Sequence, residues 1–211
     1  MDKQFWLDRW RNDRIGFHEG KPNSLLVKHF GKLTLRQKQT IFLPLCGKAV
    51  DIDWLLQQGV HVVGIDLSPL AIKAVFERLG ALPEVIVISE TVTKFKHGPL
   101  TLFTGDFFAL TKDTLGPVDA VYDRAALVAL PPDMRVRYAG HLRTITGGAT
   151  QLLITFAYDQ AEMEGPPFSV PTCEVDEHYG SNFNISVQET KPLTLKTTAA
   201  IAEISLLARK T

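Results

Sequence analysis

An α/β fold built on a mostly parallel sheet is the class this sequence predicts, and three observations lead there. From residue 40 onward, short β-branched or apolar runs alternate with helix-like stretches, the pattern of successive βαβ units. Small turns or acids close several of those runs, at the carboxyl ends where open α/β sheets bind ligands. With 211 residues, 45% of them hydrophobic and 22% charged, the chain can bury one core, so a single domain over residues 1–211 is expected.

The elements follow in order. Residues 1–35 mix Trp6, Trp10 and Phe17 with charges at spacings that suit a helix and a loop, and are expected to form a covering segment. Residues 40–45 read as the first strand, ending in a Cys-Gly turn, and residues 50–58 as a helix stopped by Gly59. Residues 61–65 form the second strand, closed by Asp66. Ser68-Pro69 then starts a helix: the hydroxyl caps free N–H groups, and the proline's missing N–H is harmless there. Residues 85–88 read as a short buried segment, residues 100–104 as a third core strand and residues 118–122 as a fourth, followed by Asp123-Arg124. A helix over about 134–143, a strand over 150–157, a Gly165-Pro166-Pro167 loop, a helix over 172–179 and an antiparallel hairpin of 184–189 with 199–207 complete the chain.

Composition excludes several functions. Lysines and arginines balance carboxylates at 23 each, so no basic footprint for nucleic acid or an acidic membrane is present. The longest apolar run, residues 125–130, is far short of the roughly 18 residues a membrane-spanning helix needs. The opening residues lack a basic region followed by an apolar stretch, and Cys46 and Cys173 are far apart; a reduced, cytoplasmic protein is expected.

Residues just after the strands should carry the chemistry: Leu45-Cys46-Gly47, Asp66, Asp106-Phe107 and Asp123-Arg124. An acid 21 residues after Leu45 suits a carboxylate that accepts from ribose hydroxyls, although Asp66 could equally just precede a helix start. The turn holds one glycine, not the G-x-G-x-x-G that a dinucleotide pyrophosphate needs. Phe42 and Ala49 stand where a P-loop requires Gly and Ser or Thr. An adenosine with an amino-acid tail and no phosphate fits such a turn, which points to S-adenosylmethionine.

Four segments carry a more specific signal: Phe42-Leu43-Pro44-Leu45-Cys46-Gly47-Lys48-Ala49-Val50-Asp51, Val62-Val63-Gly64-Ile65-Asp66-Leu67-Ser68, Tyr122-Asp123-Arg124-Ala125-Ala126-Leu127, and Gly165-Pro166-Pro167-Phe168-Ser169-Val170-Pro171. With Trp6-Leu7-Asp8-Arg9-Trp10 and Gly16-Phe17-His18, they resemble the bacterial thiopurine S-methyltransferases over about residues 5–180. The resemblance implies a class I S-adenosylmethionine-dependent methyltransferase fold, Rossmann-like, with a seven-stranded sheet and a terminal antiparallel strand. It further implies methylation of aromatic or heterocyclic thiols that leaves S-adenosylhomocysteine; neutral charge and a covering N-terminus suit a monomer, and no metal is expected. Selenium and tellurium species are the alternative acceptors. Trp6, Trp10, Leu45, Gly47, Asp66, Asp106, Phe107 and Arg124 correspond to cofactor contacts; Asp8, Phe17 and Arg124 correspond to acceptor contacts, with Arg124 orienting the acceptor. Asp66 stands where the family most often has Glu, and Tyr122 where Trp is common.

Simpler roles stand beside these. Arg124 could pair with Asp123 or Asp66; Trp6 and Trp10, four apart, could pack in the core; His18 could be an ordinary loop residue; and Cys46 could be a small packing residue. Cys173, Glu174 and His178 lack a second ligand pair at a zinc spacing. A fold that has lost its activity, or a nicotinamide dehydrogenase, are the rivals from other classes.

Overall fold

The computed structural model describes residues 3–16 and 18–210. Helices α1 (Lys3–Arg11) and α2 (Ser24–His29) precede the sheet. Then come β1 (Thr40–Leu43), α3 (Asp51–Gln57), β2 (His61–Asp66), α4 (Pro69–Arg78), β3 (Glu84–Ser89), β4 (Val92–His97) and β5 (Leu100–Gly105). The second half holds α5 (Lys112–Leu115), β6 (Ala120–Arg124), α6 (Pro132–Thr146), β7 (Thr150–Ala157), α7 (Thr172–Tyr179), β8 (Phe183–Leu195) and β9 (Thr198–Arg209).

One sheet runs in the order β3-β4-β5-β2-β1-β6-β7-β9-β8. Strands β5, β2, β1, β6 and β7 pair in parallel. An antiparallel pair flanks each edge, β3–β4 on one side and β9–β8 on the other. The class I fold is borne out. The sheet nevertheless has nine strands where the resemblance implied seven, because β3 and β4 add a hairpin beside β5.

Both faces of the central strands are covered, so they read as near-continuous apolar runs. The pleat sends Phe42 into one core with Ile65, Phe103 and Leu153, and Ile41 and Leu43 into the other with Val62, Ile52 and Ile72. Local signals hold at the caps. Ser68 accepts from the Ala71 N–H with Pro69 at the first turn, and Asn23 accepts from the Leu25 and Leu26 N–H groups to start α2.

Two expectations change. Residues 85–88 are not buried: β3 is the outer edge strand, and Val85 and Val87 are 56% and 73% exposed. Nor does α1 join the core through Trp6 and Trp10, since none of its residues is buried. Among the described residues no helix is long and apolar enough to cross a membrane.

Candidate active site

A cavity of about 890 Å³ runs along the carboxyl ends of β5, β2, β1, β6 and β7 and continues to the β9–β8 edge, with α1 and the segment before α2 forming its outer wall. That volume lies in the upper range of small-molecule sites.

Its floor is the turn after β1. Leu45 (φ 46°) and Gly47 (φ 52°) both take left-handed backbone, and the Cys46 N–H donates to the Ile65 carbonyl at 2.9 Å. Glycine is needed at 47 twice over: for its φ, and because an added Cβ would come within 3.1 Å of the Trp10 ring. The Gly47 N–H donates to Asp66 Oδ2 at 2.9 Å, and the Ser68 N–H to Oδ1 at 2.8 Å. Burial pushes the Asp66 carboxyl up to about 6, against the Ser68 and Gly47 N–H groups, which favour the anion. Gly64 lies beneath, where a Cβ would meet Cys46 Sγ at 2.8 Å. Cys46 is buried, and desolvation followed by the nearby Asp66 charge raises its thiol pKa, so it packs as a small residue.

Arg124 ends β6 and pairs with neither Asp123 nor Asp66. Its Nε donates to Asp51 Oδ2 at 3.1 Å, and its Nη1 stands 3.8 Å from Glu19. Asp51, 1% exposed, also accepts from the Tyr122 hydroxyl at 3.3 Å and the Asn23 N–H at 2.7 Å, so one carboxylate ties the segment before α2 to the arginine. Asp123 turns inward, accepting from the Tyr138 hydroxyl at 2.6 Å and the Leu127 N–H at 3.2 Å.

Asp106 caps the turn after β5 by accepting from the Phe108 N–H, and Lys3 of α1 lies 2.8 Å away. Burial would raise its pKa, but the Lys3 and Phe108 hydrogen bonds hold it below the usual carboxylate value. Phe107 reaches the cavity edge but is 3% exposed, its ring packed on Tyr138 and His141. Its neighbour Phe108 carries the Arg137 guanidinium at 4.0 Å. The far wall is the Pro-Pro loop. There, buried Arg135 donates to the Leu130 and Ser169 carbonyls and to Glu174, and the Phe168 N–H donates to the Val128 carbonyl at 2.7 Å.

Of the expected site residues, Trp6, Trp10, Leu45, Gly47, Asp66, Asp106, Phe107 and Arg124 all border this cavity. Asp8 does not: its carboxylate is exposed and accepts from Gln4 at 2.7 Å and Arg11 at 3.0 Å along α1. Phe17 lies outside the described residues. His18 borders the cavity. Burial first, then the charges of Lys48, Arg78 and Arg124, lower its pKa against the pull of Asp51.

The family model described as thiopurine S-methyltransferase matches residues 1–207. The chain belongs to the thiopurine S-methyltransferase family. A relative named thiopurine S-methyltransferase from Xanthobacter autotrophicus is 51% identical over 92% of this chain and 91% of its own. One of the same name from Acinetobacter baylyi is 45% identical over 88% and 87%. Among solved structures, a magnesium protoporphyrin IX methyltransferase from Synechocystis with bound SAH superposes with a TM-score of 0.63 at 16% identity, covering 97% of this chain and 99% of that one. A TehB-like SAM-dependent methyltransferase from Corynebacterium glutamicum superposes at 0.57 and 14%, over 99% and 98%. Such low identities speak for the fold. Family membership makes this chain an S-adenosylmethionine-dependent methyltransferase.

The turn after β1 fits that cofactor class. A buried acceptor-only carboxylate beside a bare glycine backbone suits ribose hydroxyl donors and close approach, with no cradle of N–H groups for a pyrophosphate. Sequence reasoning missed Asp51 as the partner of Arg124. It stands four residues past Gly47 inside the most specific segment, but only the pairing of β1 with β6 brings it to Arg124. Lys191 and Lys196, which also border the cavity, carry no sequence signal at all.

Proposed function

We propose that this protein transfers the methyl group of S-adenosylmethionine to the thiol of an aromatic or heterocyclic acceptor of thiopurine type. The observation that carries the reading is the single-glycine turn, with Asp66 accepting from its amide and Arg124 bordering the same cavity. When bound, the cofactor supplies a methyl already activated on a sulfonium, which passes in line to the acceptor sulfur as the sulfonium electron pair stays behind and the thiol proton goes to solvent.

In this reading Asp66 accepts from the ribose hydroxyls, while Leu45 and Gly47 allow close approach of the amino-acid end. The adenine lies against Asp106 and the Phe107 backbone. Trp6 and Trp10 cover the pair and exclude water, which leaves positioning as the main catalytic contribution. Arg124 keeps its charge at every working pH and favours the acceptor in its thiolate form. Its Asp51 partner holds the guanidinium in place. One domain, acting as a cytoplasmic monomer, completes the reading.

Calorimetric titration with S-adenosylhomocysteine, followed by competition of a thiopurine against selenite and tellurite in one preparation, is the test. Methylation of the thiopurine under competition supports the thiol reading. Turnover confined to the metalloid acceptors would replace it, and no binding of S-adenosylhomocysteine would remove both.

A further inference from the structure

The cavity is far more basic than the protein around it. Lysines and arginines equal carboxylates over the whole chain, yet among the residues bordering the cavity they outnumber them eight to three. The cofactor does not account for that excess: its sulfonium and ammonium outweigh its one carboxylate, so it is itself a net cation. Of the three bordering carboxylates, Asp66 follows β2 and Asp106 follows β5, on the cofactor side, while Glu19 stands 3.8 Å from Arg124. The half that reaches from β7 to β8 has none. Its walls are apolar, among them Leu25, Phe156, Pro167 and Leu193, and its cations are Lys21, Lys191 and Lys196. Among the described residues none of these three lysines has a carboxylate partner. The three lysines come to one cavity because His29 and Lys28 of α2 both bind Glu189 of β8, which ties the segment that carries Lys21 to the strand that carries Lys191.

Building on the thiol reading above, we propose that the acceptor carries a carboxylate in addition to its thiol. Lys191 and Lys196, with Lys21 opposite, take the carboxylate at the cavity mouth, while the apolar walls take the ring. An inorganic oxyanion would satisfy the charge but leave those apolar walls without a partner.

The test compares para-mercaptobenzoate with para-mercaptobenzamide, which share ring and thiol position but differ in charge. Methylation is measured at low and high salt. In parallel, the two S-methylated products are titrated into protein saturated with S-adenosylhomocysteine. The acid is expected to have a KM and a product Kd about tenfold below those of the amide at low salt, a gap that narrows as salt screens the lysines. In Lys21→Gln/Lys191→Gln/Lys196→Gln the ratio is expected to fall to about one. These exposed lysines can be replaced without disturbing the core, and S-adenosylhomocysteine affinity reports that the variant is folded. Equal KM and Kd for acid and amide in the wild type, or a preference that survives in the triple variant, overturns the proposal. If neither thiol is methylated, the thiol reading fails by itself, and the product titration still decides whether the site prefers the anion.

Discussion

If Asp66 accepts from the cofactor's ribose hydroxyls, as proposed, cofactor binding depends on pH. The Asp66 carboxyl titrates at about 6 in the folded protein, because burial disfavours the anion more than the Gly47 and Ser68 amides favour it. Ribose hydroxyls are donors, so they select the ionised form, and lowering the pH through 6 makes the ligand compete with a proton. If only the ionised carboxylate binds, S-adenosylhomocysteine should bind about tenfold more weakly at pH 5 than at pH 8, with proton release on binding near pH 6. Replacing Asp66 with Asn removes the ionisation yet keeps one acceptor oxygen. It should weaken binding at pH 8 by roughly 10- to 100-fold, the order expected for hydrogen bonds to a charged group. The variant's residual affinity should then be flat between pH 5 and 8 apart from any His18 contribution. For folding the sign is opposite. The raised carboxyl pKa means that ionised Asp66 costs stability on the order of 3 kcal/mol at neutral pH, a cost absent below about pH 4 and complete above about pH 6. Isothermal titration at several pH values, in buffers of different ionisation enthalpy, measures both affinity and proton release. A pH-independent wild-type affinity, or the same pH dependence in Asp66→Asn, would refute the reasoning; the latter would shift attention to His18 or to Asp123, which burial also pushes up to about 6.

Other consequences can be checked separately. Arg124→Ala leaves buried Asp51 without its cation, so thermal unfolding should drop by about 10 °C, with partial recovery in Asp51→Asn/Arg124→Ala; an unchanged melting temperature would sink the pairing. Gly64→Ala drives a Cβ into Cys46 and should cost roughly 1–3 kcal/mol, and Cys46→Ala in the same chain should return most of it, as a double-mutant cycle by urea denaturation would show. Helix α1 buries none of its residues, so its amides should exchange quickly in the free protein and slow on addition of S-adenosylhomocysteine; exchange unaffected by the ligand would argue against a covering role. Val87→Lys, on the exposed apolar edge of β3, should leave stability within about 0.5 kcal/mol and reduce self-association in light scattering.

Much of the fold and part of the site were legible because their causes are local. The alternation of apolar runs with helical stretches identified the parallel core, the Ser68-Pro69 pair marked a helix start, and the bounds expected for β7 and α7 coincide with those observed. The turn at Leu45 and Gly47 and the acid at 66 could be located because both follow apolar strands at a spacing one βαβ unit imposes. A short apolar run, by contrast, has the same look in a core strand and in an edge strand. Residues 85–88 therefore read as buried, although the hairpin with β4 places them outermost.

What tertiary structure alone decided is which charges meet. The simpler alternative for Arg124, a pair with Asp123 or Asp66, fails: strand order brings it to Asp51 and sends Asp123 down to Tyr138. Asp8 shares a helix with Trp6 and Trp10 but faces away from the cavity, because the orientation of α1 depends on Lys3 reaching Asp106 and Trp10 lying over Gly47. The lysines of the β8–β9 hairpin join the site only because that hairpin pairs beside β7 and carries its tip to the carboxyl ends of the parallel strands. Strand periodicity, caps and turns act over a few residues and are written in the sequence; ion pairs and cavity walls depend on contacts between distant segments, which come into being only when the sheet assembles.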